Sequence, residues 1–263
     1  MKWPGFRTGW PEKPGRAIAL VLVGAGVLVA ALASDLSPTV LPVLKPAEVD
    51  RLRMQASGGR DGAALAALQD AARDGNLDAL QAAADVLLQA SDPSHLREGL
   101  DYARNAAKRG DARAQYLLGK TLFNGNAVQA ADRREARVWL ERAALQDHSQ
   151  ACYLLGLIYK NGYAGPIDVV AALRWFARGT ALGNPDAMFM LGNATLAGEG
   201  VPADPSRAMQ LFRDAAELEH PLAAQMLAYA LRDGSNGLKR DDRAAQEMVH
   251  EVEHALHHPR AVF

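Results

Sequence analysis

The chain has 263 residues, of which 49% are hydrophobic and 6% aromatic, and its formal net charge is −1 at pH 7. The hydrophobic fraction excludes a disordered chain, and the near-neutral charge disfavours a nucleic-acid binder, which normally presents a basic face. A single cysteine, Cys152, excludes an internal disulfide framework and a four-cysteine zinc site.

The N-terminal region has the pattern of a targeting or anchoring segment. Residues 1–16 contain four basic residues and one acidic residue, and residues 17–33 follow as an uncharged apolar run. Seventeen apolar residues are at the short end of what a helix needs to cross a bilayer. We predict a cytoplasmic leader over 1–16 and a membrane-inserted helix over 17–33. Residues 34–263 are then exported, because positive charge stays on the cytoplasmic side.

Two fates of residues 17–33 remain open. Ala31 and Ala33 form a small-x-small site, and cleavage after Ala33 would give a soluble periplasmic or secreted protein. Trp3 and Trp10 in the leader suit a membrane interface and favour a retained signal anchor. The anchor would make a single-pass protein of the inner membrane, with the remaining chain in the periplasm.

Residues 34–46 are predicted to be a linker. Prolines recur in this segment at a spacing of four, as Pro38, Pro42 and Pro46, which favours an extended spacer without a core of its own. Beyond residue 33 the chain has 25 basic and 29 acidic residues. This mild acidity favours solubility and does not specify a partner.

Residues 47–263 repeat with a period of about 36 residues. Three kinds of position recur in one phase: an alanine–glycine pair, a single aspartate and a large apolar residue. The pairs are Ala114 with Gly119, Ala151 with Gly156 and Ala187 with Gly192. The aspartates are Asp132, Asp168 and Asp204, and the apolar residues are Trp139, Trp175 and Leu211. Periods of roughly 20–50 residues indicate a solenoid of stacked repeats.

Each unit is predicted to contain two helices. The first helix ends at a glycine suited to a left-handed cap, and these glycines are Gly125, Gly162, Gly198 and Gly234. The recurring aspartates suit the N-cap of the second helix, and Asp132 with Glu135 predicts a capping box. We expect Trp139 and Trp175 to be core positions of the second helices.

One unit carries a more specific pattern. It reads Ala187-Met-Phe-Met-Leu-Gly192, then Gly198-Glu-Gly-Val201 and Asp204. This pattern resembles the Sel-1-like repeat, a relative of the tetratricopeptide repeat, and the resemblance covers about residues 47–257, or five to six units. It implies an all-α, right-handed α-solenoid of helix-turn-helix repeats that acts as a scaffold or adaptor for a protein or peptide partner, without enzymatic activity or a cofactor.

A solenoid presents the side chains of its first helices along a concave groove. By helical phase, the groove is predicted to contain Arg113, Tyr116, Lys120, Phe123, Asn124, Tyr153, Lys160, Asn161, Phe189, Asn193, Tyr229 and Arg232. Tyrosine and arginine are typical of binding hot spots, and the basic members suit an acidic or C-terminal segment of a partner. The alternative is that Tyr116, Tyr153 and Phe189, at equivalent positions of consecutive repeats, pack against the neighbouring unit.

An HExxH motif starts at His250 and ends at His254. Histidines at i and i+4 on a helix can bind zinc, with Glu251 as a base. The metzincin extension of this motif requires glycine and histidine where the chain has His257 and Arg260. We therefore predict a solvated terminal helix with no metal and no catalytic residue. An exported hydrolase or cell-wall binder using these histidines stays as the alternative function.

Overall fold

The computed structural model describes residues 44–58 and 61–257, with side chains up to His250. The predicted leader, the apolar segment 17–33 and most of the linker lie outside the described residues. Within the described part, no helix combines the length and the apolar character needed to span a bilayer.

The described part contains twelve α-helices and no β-strand. The helices are α1 (Pro46–Gly58), α2 (Gly62–Arg73), α3 (Leu77–Leu87), α4 (Pro93–Lys108), α5 (Ala112–Asn124), α6 (Arg133–Leu145), α7 (Ser149–Asn161), α8 (Val169–Ala181), α9 (Pro185–Ala197), α10 (Pro205–Glu217), α11 (Pro221–Asp233) and α12 (Asp242–His257). Each odd-numbered helix packs against the even-numbered helix that follows it, so the fold is a solenoid of helix pairs. The prediction of an all-α repeat solenoid is confirmed.

The pairs stack so that the odd-numbered helices form the inner layer. From α1 to α9, each odd-numbered helix contacts the next odd-numbered helix, whereas no two even-numbered helices of the described part make comparable contact. When the helices of one layer approach each other more closely than the helices of the other layer do, the stack of pairs curves toward the first layer. The odd-numbered helices therefore line the concave face.

Local signals place the helix ends where the sequence predicts them. Asp132, Asp168 and Asp204 are the N-caps of α6, α8 and α10, and each carboxylate accepts first-turn backbone N–H bonds. The glycines after α5, α7, α9 and α11 all have positive φ.

The predicted capping box at α6 forms only in part. Asp132 accepts from the Glu135 backbone N–H at 3.0 Å. The Glu135 carboxylate instead accepts from the Trp139 indole N–H at 3.1 Å, one turn ahead. Glu135 therefore orients Trp139. The Asp132 backbone N–H, which Glu135 would bond in a complete capping box, bonds instead to the Leu122 carbonyl oxygen.

The core residues of the second helices differ from the prediction. Trp139 and Trp175 are only half-buried, at the edge of the core. The next residue of each helix, Leu140 or Phe176, is fully buried. The prediction that the tryptophans are core positions is wrong, because the helix turns the following side chain toward the paired first helix.

The recurring glycines of the first helices receive these buried side chains. A Cβ placed on Gly156 would lie 2.2 Å from the Phe176 ring, and one on Gly192 would lie 2.6 Å from the Phe212 ring. No side chain fits at such distances. Glycine at these positions therefore sets how closely the two helices of each pair approach.

Candidate protein-binding groove

The inner layer contains a groove formed by α1, α3, α5 and the start of α7. Its volume is about 880 Å³. The charged and aromatic side chains that line it are Arg53, Asp85, Arg113, Tyr116, Lys120 and His148. Four of the lining residues are among those predicted from the sequence: Arg113, Tyr116, Lys120 and Asn124.

Two arginines of the groove share one carboxylate. Asp85 on α3 accepts from Arg113 on α5 at 2.8 Å and from Arg53 on α1 at 3.4 Å. The Asp85 and Arg53 side chains are only 13% and 14% exposed, and the Arg113 side chain is 37% exposed. These bonds connect three successive inner helices, and Arg53 also pairs with the exposed Asp50 on α1 at 3.6 Å.

Lys120 is the most accessible cation of the groove. It is exposed, and its ammonium nitrogen lies 5.8 Å from the centre of the Tyr116 ring. It has no carboxylate partner among the described residues. An unpaired lysine beside an aromatic ring is available for a ligand that carries a negative charge.

Tyr116 stacks on His148, with ring centres 4.3 Å apart. Burial, with a smaller contribution from the Arg113 charge, lowers the pKa of His148 to about 4. His148 is therefore uncharged at neutral pH, and it forms part of the wall of the groove. Burial also raises the pKa of Tyr116, so the phenol stays protonated.

The start of α7 differs from the other capped helices. His148 occupies its N-cap without donating or accepting a side-chain cap bond, and its Nδ1 atom is buried without a hydrogen-bond partner. At the equivalent position of the next unit, Asn184 accepts from the Ala187 backbone N–H at 2.8 Å. The first turn of α7 thus lacks a side-chain acceptor, and the Ala151 N–H bonds instead to the His148 backbone carbonyl oxygen at 3.1 Å.

The other two aromatic residues of the series also pack against aromatic rings. Phe189 stacks on His220, the N-cap of α11, at 4.7 Å between ring centres. Tyr153 lies 6.4 Å from Phe176 and is half-buried. The Phe189 contact corresponds to the packing alternative, whereas Phe176 belongs to the same helix pair as Tyr153.

Two predicted groove residues have contacts outside the cavity. Phe123 packs edge-on against Tyr163 at 5.5 Å, and the Arg133 guanidinium lies over both rings. Lys160 bonds to Glu199, in the loop after α9, at 2.5 Å. Both side chains therefore connect neighbouring repeats.

The remaining predicted residues are distributed along the inner helices. Asn161 donates to the Leu157 carbonyl oxygen, and Asn193 is half-buried. Tyr229 is exposed, with the Arg232 guanidinium 5.1 Å from its ring centre. The structure does not bring these residues into the cavity around Arg113 and Lys120.

The comparison with protein families identifies the repeat. The Sel1 repeat matches residues 112–148, 149–184, 185–220 and 221–248, which together make up more than half of the chain.

The chain belongs to the Sel1 repeat family.

Solved structures show the same arrangement of Sel1 repeats. A Sel1 repeat protein from Oxalobacter formigenes is 25% identical, with a TM-score of 0.72 over 80% of this chain and 88% of that one. A protective antigen of uropathogenic Escherichia coli with the same fold is 23% identical, with a TM-score of 0.66. This match covers 80% of the present chain and only 46% of the antigen.

A more distant structural match is an immunity protein of Pseudomonas aeruginosa. It is 16% identical, with a TM-score of 0.54 over 82% of this chain and 84% of that one. At this identity the likeness concerns the fold alone. A comparison with curated proteins gives no significant match.

Sequence reasoning missed Asp85, Arg53 and His148 as groove residues. Asp85 could have been found from the repeat phase, because it lies nine residues after the N-cap Asn76, as Lys120 lies nine after Asp111. The Sel1 match begins at residue 112, and the looser repeats before it conceal this equivalence.

The histidine motif lies at the edge of a second cavity. His250 lines a cavity of about 660 Å³ between α10, α11 and α12. In the described part of the chain, no group of three or more histidine, cysteine or acidic residues is arranged to hold a metal ion. The side chains of Glu251 and His254 lie outside the described residues.

Proposed function

We propose that this Sel1-repeat solenoid is an envelope-tethered scaffold that binds an extended segment of a partner protein along its concave face. The observation that carries the proposal is the groove of about 880 Å³ that crosses α1, α3, α5 and α7. Several repeats contribute to one continuous surface, which suits a chain segment better than a small molecule.

The composition of the groove supports a polypeptide ligand. Tyr116 and Leu117 supply apolar surface, while Thr121, Asn124 and Gln150 supply hydrogen-bonding groups between them. Extended peptides need both, because their backbone N–H and C=O groups must be satisfied when water is displaced. The rigid helical framework also reduces the ordering cost of binding.

Site-specific crosslinking in living cells tests the concave assignment. A photoreactive amino acid at Leu117 or Leu154, both half-buried on inner helices, should capture one defined protein. The matched controls are Val170 and Leu218, exposed apolar residues on the outer side. The captured protein is then purified and titrated against the full-length scaffold. Capture from Val170 or Leu218 alone would contradict the concave assignment.

We also propose that residues 17–33 anchor the protein in the inner membrane, with the repeats in the periplasm. The support is the uncharged run after a basic leader. A reporter fused after Phe263 should be active only outside the cytoplasm, and the full-length chain should remain in the membrane fraction. A soluble chain that begins at Ser34 would instead show cleavage after Ala33.

A further inference from the structure

We propose, on the basis of the proposed concave-face function, that the groove selects a partner segment rich in glutamate or aspartate, and that a carboxylate of this segment binds between Arg113 and Lys120. Two neighbouring repeats differ in how the charges of their inner helices are paired, and this difference leaves Lys120 without a carboxylate partner among the described residues.

In the first of these repeats the inner charges are matched. Asp85 lies nine residues after the N-cap of α3, and it bonds at 2.8 Å to Arg113, two residues after the N-cap of α5. This cross-repeat bond satisfies the carboxylate, which also receives Arg53 at 3.4 Å. One carboxylate therefore serves two guanidinium groups.

In the next repeat the same two positions carry no carboxylate. Lys120 lies nine residues after the N-cap of α5, and Gln150 lies two residues after the N-cap of α7. Both residues line the groove. The lysine is thus left without the ion pair that its counterpart has, whereas Arg53 pairs with both Asp50 and Asp85 and Arg113 bonds to Asp85.

The groups around Lys120 differ in how they affect an anion in the groove. His148 is neutral at pH 7, because burial and the Arg113 charge lower its pKa to about 4, so it neither adds charge nor competes for an anion. The first turn of α7 has no side-chain cap, and the helix dipole favours negative charge there. Asp186 is the further acidic group that acts on Tyr116, and it lies on α9 beyond the groove lining.

The net charge of the remaining chain favours binding of an acidic segment at this groove. The chain after residue 33 carries more acidic than basic residues, 29 against 25. The excess of acidic residues gives a segment rich in carboxylates little attraction to the rest of the domain, so the Lys120 cation of the groove decides where it binds. Complementary charge of this kind raises association rates and excludes neutral or basic competitors.

Peptide titrations test the inference. The full-length chain in mild non-ionic detergent is titrated into fluorescein-labelled hexaglutamate, hexaglutamine and hexalysine, and anisotropy is measured at low and high salt. Hexaglutamate should bind at least about tenfold more tightly than hexaglutamine at low salt, and the advantage should shrink as salt screens the charges. Hexalysine should bind most weakly.

Two variants locate the carboxylate. Lys120→Gln removes an unpaired cation and should weaken hexaglutamate binding about fivefold, while Lys120→Arg should retain it. Gln150→Glu places a carboxylate in the first turn of α7, and it should weaken binding about tenfold without lowering the melting temperature. Because both replacements leave the core intact, a loss of binding cannot be attributed to unfolding.

Arg134→Gln is the matched control. Arg134 is exposed on the outer helix α6 and has no ion pair among the described residues, so its replacement should leave the affinity for hexaglutamate unchanged. Equal binding of hexaglutamate and hexaglutamine, or no effect of either groove variant, would overturn the inference. Crosslinking of the partner from Leu117 would be unaffected by that result, so the proposed concave function would still stand.

Discussion

At the scale of single residues, three glycines control how closely the helix pairs approach. Gly119, Gly156 and Gly192 lie under Leu140, Phe176 and Phe212, and an added Cβ at any of them would be closer than 3.0 Å to the opposing side chain. The sequence period identified these glycines. Only the packing of the helices shows that each glycine lies against one bulky side chain of the second helix.

Gly156→Ala tests this match. The added methyl group would overlap the buried Phe176 ring, and the resulting strain should outweigh the helix propensity gained, so the free energy of unfolding should fall by about 1–3 kcal/mol. Urea denaturation measures the change. Gly62→Ala is the control, because no atom lies within 4 Å of a Cβ there. Equal stability of Gly156→Ala and the parent chain would contradict the assignment.

His148 gives stability a particular pH dependence. Its native pKa of about 4 lies below the ordinary value of 6.5, so between these values the unfolded chain binds a proton that the native state does not. Stability should therefore fall as the pH drops from 6.5 toward 4, by roughly 2 kcal/mol after allowing for the partial exposure of the ring.

His148→Asn removes this titration and supplies the side-chain cap that Asn184 provides one repeat later. We expect the variant to lose less stability than the parent between pH 7 and pH 4.5, with a cap contribution of about 1 kcal/mol. Parallel urea titrations at the two pH values measure the difference. Identical pH profiles for the two proteins would show that the histidine does not titrate as proposed.

At the scale of helices, α6 and α8 each present two adjacent large side chains with different burial. Phe176 is 1% exposed, whereas Trp175 is half-buried at the edge of the core. Phe176 packs on Gly156 inside its own pair, and Trp175 lies against a cluster formed by buried residues of α6 and α7. Phe176 therefore contributes to pairing, and Trp175 contributes at the edge of a cluster that spans two units.

Alanine replacements in α8 should reflect this division. Phe176→Ala leaves a cavity in the core and should cost about 3–5 kcal/mol, while Trp175→Ala should cost about half as much because its ring is already partly hydrated. Thermal and urea denaturation of the two variants provide the comparison. A larger loss for Trp175→Ala would place the tryptophan, as the sequence predicted, at the centre of the core.

At the scale of the whole molecule, the core is divided into clusters that follow the repeats. One cluster contains Phe212 and Ala215 with Ala223 and Leu227 of the following unit. Each unit thus contacts mainly its neighbours, and stability is close to a sum of repeat and interface contributions.

Removal of residues 221–263 tests this additivity. The truncated chain should keep nearly the same helical circular dichroism per residue, with a lower melting temperature, because Phe212 loses the cover of α11. Collapse of the helical signal throughout the shortened chain would show that the last repeat is required for the others to fold.

Much of this fold could be predicted because its signals are local. The caps at Asp132, Asp168 and Asp204 depend on one side chain and the first turn that follows it, and the terminal glycines depend on their own φ. The period of about 36 residues repeats these signals and predicts the solenoid. Such features are confirmed because no distant residue is needed to form them.

The tertiary structure determined the contacts between neighbouring repeats. Whether Trp175 or Phe176 enters the core depends on the angle at which α8 meets α7, and helical periodicity alone fixes a face only to within about one residue. The bond of Arg113 to Asp85, the pairing of Lys160 with Glu199 and the position of Phe123 outside the groove each depend on a neighbouring unit. Long side chains reach across a repeat boundary, so stacking geometry determines which charges remain free for a partner.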